Sequence, residues 1–162
     1  MIRRTMLLLA TVAFGLILAS GAALAANVIA CTGGLCNGTS GDDEMTGTSG
    51  IDDMYAKEGN DTLRGLGAFD DLRGGPGNDD LDGGPGFDDL YGGDGDDELS
   101  DTHGSLTGHP ADYDEVSGGP GVDTIDVEDG DVFDVVCSGG GTDTVSSDAG
   151  DHLDDPNFCP LP

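Results

Sequence analysis

The sequence predicts an all-β solenoid, and two observations carry the prediction: a nine-residue period and the placement of glycine within it. From Gly38 to Ser100 the chain divides without a gap into GTSGDDEMT, GTSGIDDMY, AKEGNDTLR, GLGAFDDLR, GGPGNDDLD, GGPGFDDLY and GGDGDDELS. Position six is Asp in all seven units, and position eight is Met or Leu in all seven. Two fixed columns over seven consecutive units indicate a repeat architecture.

Each unit fits a turn followed by a short strand better than it fits a helix. A helix has 3.6 residues per turn, so a nine-residue period would turn alternate units to opposite sides, and the glycine columns further disfavour it. Positions one to six are rich in Gly and typical of turns, whereas positions seven to nine are strand-like. Strand side chains alternate, which points the apolar position eight inward and positions seven and nine outward. Two nonapeptides then form one coil of a flattened solenoid, with acidic turns stacked along both edges.

The period is interrupted once and then weakens. Residues 101–108, DTHGSLTG, fit no unit and are predicted to be an inserted surface loop. The period resumes in HPADYDEVS and GGPGVDTID and continues, after two extra residues, in DGDVFDVVC and SGGGTDTVS. DAGDHL is interpreted as a last, slipped unit carrying Asp151 and Leu153. Decay of this kind is typical of terminal repeats that act as caps.

Composition restricts the partners of the chain. The formal net charge is −28, from 33 acidic and 5 basic residues, and without the period such a composition would indicate disorder. Nucleic acid is excluded as a predicted partner because phosphate contacts require Lys and Arg. Cations are the partners expected of such a surface.

The first 25 residues have the pattern of a secretory signal peptide. The basic start MIRR precedes a long apolar run, which ends in the small-residue pattern Ala23-Leu24-Ala25. Cleavage after Ala25 predicts a secreted, extracellular protein that has no membrane contact once the signal is removed. The alternative is an uncleaved membrane anchor, because the run is nearly long enough to span a bilayer.

The four cysteines all follow the predicted signal. An even number in an exported chain suggests disulfides, and we predict the local pairs Cys31–Cys36 and Cys137–Cys159 among three possible connectivities. A zinc site that includes His152 is the alternative, although the spacings do not match zinc patterns. These pairs suggest an N-terminal cap at 26–37 and a C-terminal cap at 147–162, on either side of a repeat domain at 38–146.

The units GGPGNDDLD and GGPGFDDLY resemble the RTX, or haemolysin-type, calcium-binding nonapeptide G-G-x-G-x-D-x-U-x. The resemblance extends from Gly38 to about Val145. It implies a parallel β-roll in which Ca²⁺ ions lie between the turns of successive coils, held by position-six carboxylates and turn carbonyls. The residue chemistry agrees, because calcium takes six to eight oxygen ligands in flexible geometry.

Carried over residue by residue, the resemblance implies a set of carboxylate ligands and a set of turn glycines. One edge of the roll would carry alternate position-six residues and the other edge the rest, with the later units extending both rows if residues 101–108 only bulge out. Asp134 and Asp143 are not included, because their turns have lost family glycines. The implied metal ligands are Asp43, Asp52, Asp61, Asp70, Asp79, Asp88, Asp97, Asp114 and Asp123. The implied turn glycines are Gly74, Gly75, Gly77, Gly83, Gly84, Gly86, Gly92, Gly93 and Gly95.

The sequence contains no motif that indicates an enzyme. The metalloprotease signature H-E-x-x-H and the nucleophile elbow G-x-S-x-G are both absent. The predicted function is a secreted calcium-binding repeat protein that folds into a β-roll on binding Ca²⁺. The alternative is a calcium-scaffolded adhesin or matrix interaction protein, whose protein or polysaccharide partner the sequence does not identify.

Overall fold

A computed structural model describes residues 26–101, 114–130 and 134–154 of the chain. The predicted signal peptide, the insertion beyond Asp101 and Cys159 lie outside the described residues. Within the described part there is no helix that is long and apolar enough to cross a membrane.

The described chain forms two parallel sheets of seven strands each, which alternate along the sequence. The first sheet contains β1 (Asn27–Ala30), β3 (Asp43–Thr46), β5 (Thr62–Arg64), β7 (Asp80–Asp82), β9 (Glu98–Ser100), β11 (Thr124–Val127) and β13 (Thr144–Ser147). The second contains β2 (Gly34–Asn37), β4 (Asp52–Tyr55), β6 (Ala68–Pro76), β8 (Gly86–Asp94), β10 (Glu115–Pro120), β12 (Val135–Gly140) and β14 (His152–Leu153). Each coil contributes one strand to each sheet, which confirms the predicted β-roll.

The register follows the repeat. Leu72 pairs with Leu90 and Leu63 pairs with Leu81, so that equivalent residues of neighbouring coils are two units apart. The separation grows from 18 to 26 residues across the insertion and is 20 residues after the two extra residues. The pairing between strands is therefore preserved where the period is interrupted.

A single column of aliphatic side chains forms the core. The position-eight residues are at most 1% exposed from Met45 and Met54 through Ile125 and Val136. They are joined by Ala56 and Val127 and flanked by partly buried Ile29, Cys36 and Val145. Most strands contribute one side chain to the space between the sheets, so the apolar core is thin.

The turns stack too closely for side chains at certain positions. A Cβ on Gly75 would lie 1.9 Å from the carbonyl oxygen of Lys57, and one on Gly77 would lie 1.6 Å from that of Gly59. Both glycines also have positive φ, at 117° and 149°. Glycine is therefore required at these positions by backbone conformation and by the approach of the next coil.

The sheets continue into both segments predicted as caps, in the C-terminal one as far as the described residues reach. Strands β1 and β2 pair with β3 and β4, so the N-terminal segment is a further coil of the roll. The Cys31–Cys36 disulfide joins the residue after β1 to strand β2, as predicted, with Cα atoms 5.7 Å apart. Cys137 is also disulfide-bonded, and its pairing with Cys159 stays a prediction. At the other end Leu153 pairs with Val136, which places the slipped unit in the same sheet.

Candidate metal centre

The position-six aspartates form two buried rows, one along each edge of the roll. In each row the backbone N–H of one Asp donates to Oδ1 of the equivalent Asp in the next coil, with N–O distances between 2.6 and 3.4 Å. The ten residues through Asp134 are at most 3% exposed. The first row is Asp43, Asp61, Asp79, Asp97, Asp123 and Asp143. The second row is Asp52, Asp70, Asp88, Asp114, Asp134 and Asp151.

All nine aspartates implied as ligands thus fall in the two predicted rows, and Asp114 and Asp123 extend them across the insertion. The rows also continue beyond the predicted set, through Asp134, Asp143 and Asp151. The loss of family glycines in the later turns therefore does not end the stacking of the carboxylates. Whether each row member binds a metal is a prediction.

The second carboxylate oxygen of the central row members has no partner. Oδ2 is buried without a hydrogen bond in Asp61, Asp70, Asp79, Asp88, Asp97 and Asp123. It faces the first glycine of the turn: a Cβ on Gly74 would lie 2.2 Å from Oδ2 of Asp79. A buried oxygen left without a partner costs about 1–3 kcal/mol, and more when it is charged. The rows therefore present a series of unsatisfied, oxygen-only positions, which is the donor set that a hard cation such as Ca²⁺ prefers.

The predicted turn glycines lie around these oxygens. Gly74, Gly83 and Gly92 each face the Oδ2 atom of the Asp five residues later. Positive φ occurs at Gly75, Gly84 and Gly93, and again at Gly77 and Gly95. Gly86 instead faces the preceding coil, because a Cβ on Gly86 would lie 1.6 Å from the carbonyl oxygen of Ala68. The glycines leave the space beside each carboxylate free of side chains.

Stacking raises the proton affinity of the rows. Burial raises the pKa of Asp79 and Asp88 to about 7 and that of Asp70 and Asp97 to about 6. The backbone N–H donated to each carboxylate lowers its pKa, and neighbouring row carboxylates raise it. The metal-free rows therefore carry an electrostatic cost that a bound cation would relieve.

The first two turns of the array differ from the others. Thr39 donates its N–H and its hydroxyl to Asp43, so that both oxygens of this carboxylate have partners. Thr48 donates both groups to Oδ2 of Asp52, and Oδ1 of Asp52 remains without a partner. The Lys57 ammonium also donates to the carbonyl oxygen of Gly38, at 2.5 Å. Of the nine implied ligands, Asp43 is thus already satisfied by the protein.

A second ladder runs along the first edge, and sequence reasoning did not identify it. The backbone N–H of a position-five residue donates to the side-chain oxygen of the position-five residue in the preceding coil. The oxygens belong to Asp42, Asn60, Asn78 and Asp96. The signal available in the sequence was Asn or Asp at position five of alternate units.

Asp101 corrects the predicted surface loop. It was assigned to the insertion, but it is 1% exposed and its N–H bonds to the carbonyl oxygen of Asp126 in the next coil. Gly47, Gly65 and Gly83 make the equivalent bond in earlier coils, so Asp101 occupies the first position of a turn. Residues 102–108 of the predicted loop lie outside the described residues.

The model of one protein family matches the chain, namely the RTX calcium-binding nonapeptide repeat, at residues 37–72, 73–100 and 111–134. These segments cover more than half of the chain. The protein belongs to the RTX calcium-binding repeat family. No curated protein and no solved structure gives a significant match. Family membership agrees with the β-roll and with the buried aspartate rows, and it supports calcium as the bound ion of this RTX protein.

Proposed function

We propose that this RTX protein is an exported module whose β-roll is completed by Ca²⁺ bound between successive turns. The observation that carries the proposal is the series of buried, unpartnered Oδ2 atoms along both edges. In five of the six turns a glycine faces this oxygen, so turn backbone and carboxylate approach each other without an intervening side chain. The five aspartates are Asp70, Asp79, Asp88, Asp97 and Asp123. The RTX match supports the same ion.

The ligands proposed are the position-six carboxylates of the two rows, together with turn carbonyls. Asp79 exemplifies the arrangement: its Oδ1 accepts the N–H of Asp61, and its own N–H donates to Asp97. Its Oδ2 is the oxygen left for the cation. Because each Asp lies between two neighbours in its row, its negative charge contributes to the proposed calcium sites on both sides.

Folding and calcium binding are proposed to be coupled. The formal net charge of −28 opposes compaction, and most strands contribute only one aliphatic side chain to the core. Ligands that are brought together only by folding make the binding free energy part of the folding free energy. Without calcium, repulsion within the two rows favours the expanded chain.

An extracellular location suits this chemistry. Extracellular calcium modules bind at roughly 10⁻⁴–10⁻³ M, which a set of mixed carboxylate and carbonyl positions can supply. The Cys31–Cys36 disulfide is consistent with an oxidising compartment. The predicted signal peptide would direct the export of the protein to that location.

Circular dichroism during a calcium titration tests the proposal, on protein purified from the culture medium of an expressing cell. We expect a largely unstructured spectrum in chelator and a β-rich spectrum at millimolar calcium, with a cooperative transition between them. Magnesium at the same concentration is the control, because it prefers rigid octahedral geometry and retains its waters. A β-rich spectrum that is identical in chelator and calcium would refute coupled folding.

A further inference from the structure

The point where the period is interrupted contains a group of carboxylates that the regular turns lack. Asp114, Asp129 and Asp134 each offer a carboxylate oxygen, and these oxygens lie within 4.8 Å of one another. Asp114 and Asp134 are row members, whereas Asp129 is the first residue of its unit, where the family has glycine. We call Asp101, Asp114, Asp129 and Asp134 the junction cluster.

Asp101 is the member that distinguishes this cluster from a chance group of acidic residues. It is 1% exposed, and neither of its carboxylate oxygens has a hydrogen-bond partner. A buried, ionised carboxylate without a partner is strongly unfavourable, so it must be protonated or paired with a cation. The carboxylate is therefore positioned for a ligand that the described residues do not supply.

The geometry of the turn explains why Asp101 faces the row. At the equivalent position of earlier coils, a Cβ on Gly65 would lie 2.5 Å from Oδ2 of Asp70, and one on Gly83 would lie 2.7 Å from Oδ2 of Asp88. At these two positions a side chain would therefore project into the space beside the next row carboxylate. Asp101 precedes Asp114 in this arrangement, so an additional carboxylate enters the space that glycine leaves open elsewhere.

Charge in the cluster is concentrated. Burial, together with the negative charges of Asp114, Asp88, Asp134 and Asp129, raises the pKa of Asp101 well above its usual range. The lysine and arginine side chains of the described chain bind elsewhere: Lys57 contacts Gly38, Arg64 pairs with Glu44, and Arg73 lies between Tyr55 and Tyr91.

We propose that the junction cluster is a separate, high-affinity calcium site held by the four carboxylates of Asp101, Asp114, Asp129 and Asp134. It differs from the sites proposed between regular turns, where backbone carbonyls share the coordination. Affinity for Ca²⁺ rises with the number of charged ligands and with the rigidity of the site. The junction site therefore fills first as calcium increases, and it fixes the two coils that the insertion separates in sequence.

Calorimetric and mass-spectrometric titrations with calcium test the proposal on the purified, exported protein. For the wild type we expect one ion bound at least about tenfold more tightly than the others. Asp101→Asn and Asp129→Asn should each abolish that tight class while the weaker class remains. Glu128→Gln is the matched control, because it removes the same charge from an exposed residue next to Asp129.

Asp101→Gly provides a second variant with a different structural consequence. It restores the glycine of regular turns, so a purely structural role for Asp101 predicts a normal or more stable roll with the tight class intact. Retention of the tight class in both Asp101 variants, or its absence from the wild type, would overturn the proposal. Asp79→Asn, measured alongside, separates the two ideas: a weakened second class with an unchanged first class supports the regular sites independently of the junction site.

Discussion

The turns at the start of the array and those at its centre satisfy their aspartates with different groups. The threonine turns begin at Gly38 and Gly47, and the hydroxyl and N–H of Thr39 bond both oxygens of Asp43. The glycine turns begin at Gly74, Gly83 and Gly92, and each leaves a buried Oδ2 without a partner. Thr39 thus completes both oxygens of Asp43, and Thr48 completes Oδ2 of Asp52. The glycine turns leave Oδ2 for a cation, so the residue at position two determines whether the protein itself supplies a donor to this oxygen.

The backbone of the two regions differs in the same way. Position two has positive φ in the glycine turns, and Thr39 and Thr48 are not among the residues with positive φ. Lys57 adds a fixed positive charge above the first threonine turn, through its bond to Gly38. We infer that calcium dependence increases from the N-terminal coil toward the centre of the roll.

The largest expected effect concerns position four of the turn. Gly77→Ala should lower the free energy of unfolding in saturating calcium by about 2–4 kcal/mol, because it places a Cβ against the carbonyl oxygen of Gly59 at a positive φ. Gly41→Ala, at position four of a threonine turn, has open space around its Cβ and should change stability by less than about 0.5 kcal/mol. Urea unfolding of both variants measures the difference. An equal decrease in the free energy of unfolding for both variants would show that the two kinds of turn tolerate a Cβ at position four equally.

The next effect concerns the carboxylates themselves. Asp79→Asn should raise the calcium midpoint by about tenfold or more, equivalent to roughly 1.4 kcal/mol, because it removes an anionic ligand from two neighbouring positions. Asp80→Asn removes the same charge from an exposed strand residue and should have little effect, because its attraction is screened by salt. A calcium titration followed by circular dichroism compares the two.

Asp43→Asn extends the same experiment to the threonine turns. Both oxygens of Asp43 are already hydrogen-bonded, so its substitution should shift the calcium midpoint less than that of Asp79. Identical midpoints for the Asp79 and Asp80 variants would remove the site assignment. A shift for Asp43 as large as that for Asp79 would remove the distinction between the two regions.

A smaller effect is expected from the threonine hydroxyl. Thr39→Val keeps the shape of the side chain and removes the donor to Asp43, which should cost about 1 kcal/mol of stability. Thr46→Val, on strand β3, is the control, because Thr46 lies at position nine of the same unit and faces away from the core column. Urea unfolding in saturating calcium tests the pair. A loss for Thr46→Val equal to that for Thr39→Val would mean that the hydroxyl bond to Asp43 contributes nothing specific.

The sequence predicts the roll and its rows because both depend on columns that recur in every unit. The position-eight residue and the position-six Asp fix which side faces inward and which residues stack, so the pairing of Leu72 with Leu90 was accessible from the period alone. Even the 26-residue step from Asp88 to Asp114 follows once the insertion is removed from the count.

What the sequence did not reveal depends on single residues outside those columns. Thr39 satisfies Asp43 through a turn conformation that the repeat pattern does not specify. Asp101 was counted in a loop because its unit has lost the other family residues, yet the backbone ladder keeps it at the first position of a buried turn. Both residues depart from the glycine of the repeat consensus, which the sequence shows. Their roles depend on hydrogen bonds and contacts that only the structure shows.

The smallest effect, and the one with the most diagnostic sign, is the response of the calcium-free chain to pH. Burial raises the pKa of Asp79 and Asp88 to about 7 in the folded roll, above the ordinary value near 3.9 for an unfolded Asp. Protonation therefore favours the folded state: its stabilising contribution is complete below about pH 4 and is lost as the pH rises through about 7. In calcium-depleted buffer, lowering the pH from 8 to 5 should increase the β content measured by circular dichroism.

With calcium present the effect of pH has the opposite sign, because the ligands must be deprotonated to bind the ion. The calcium midpoint should therefore rise as the pH falls from 8 to 6. Asp79→Asn should reduce both responses, since it removes one of the titrating groups from the glycine turns. A calcium-free chain whose β content stays constant or falls on acidification would show that the buried rows do not store this electrostatic cost, and the contrast between glycine and threonine turns would lose its physical basis.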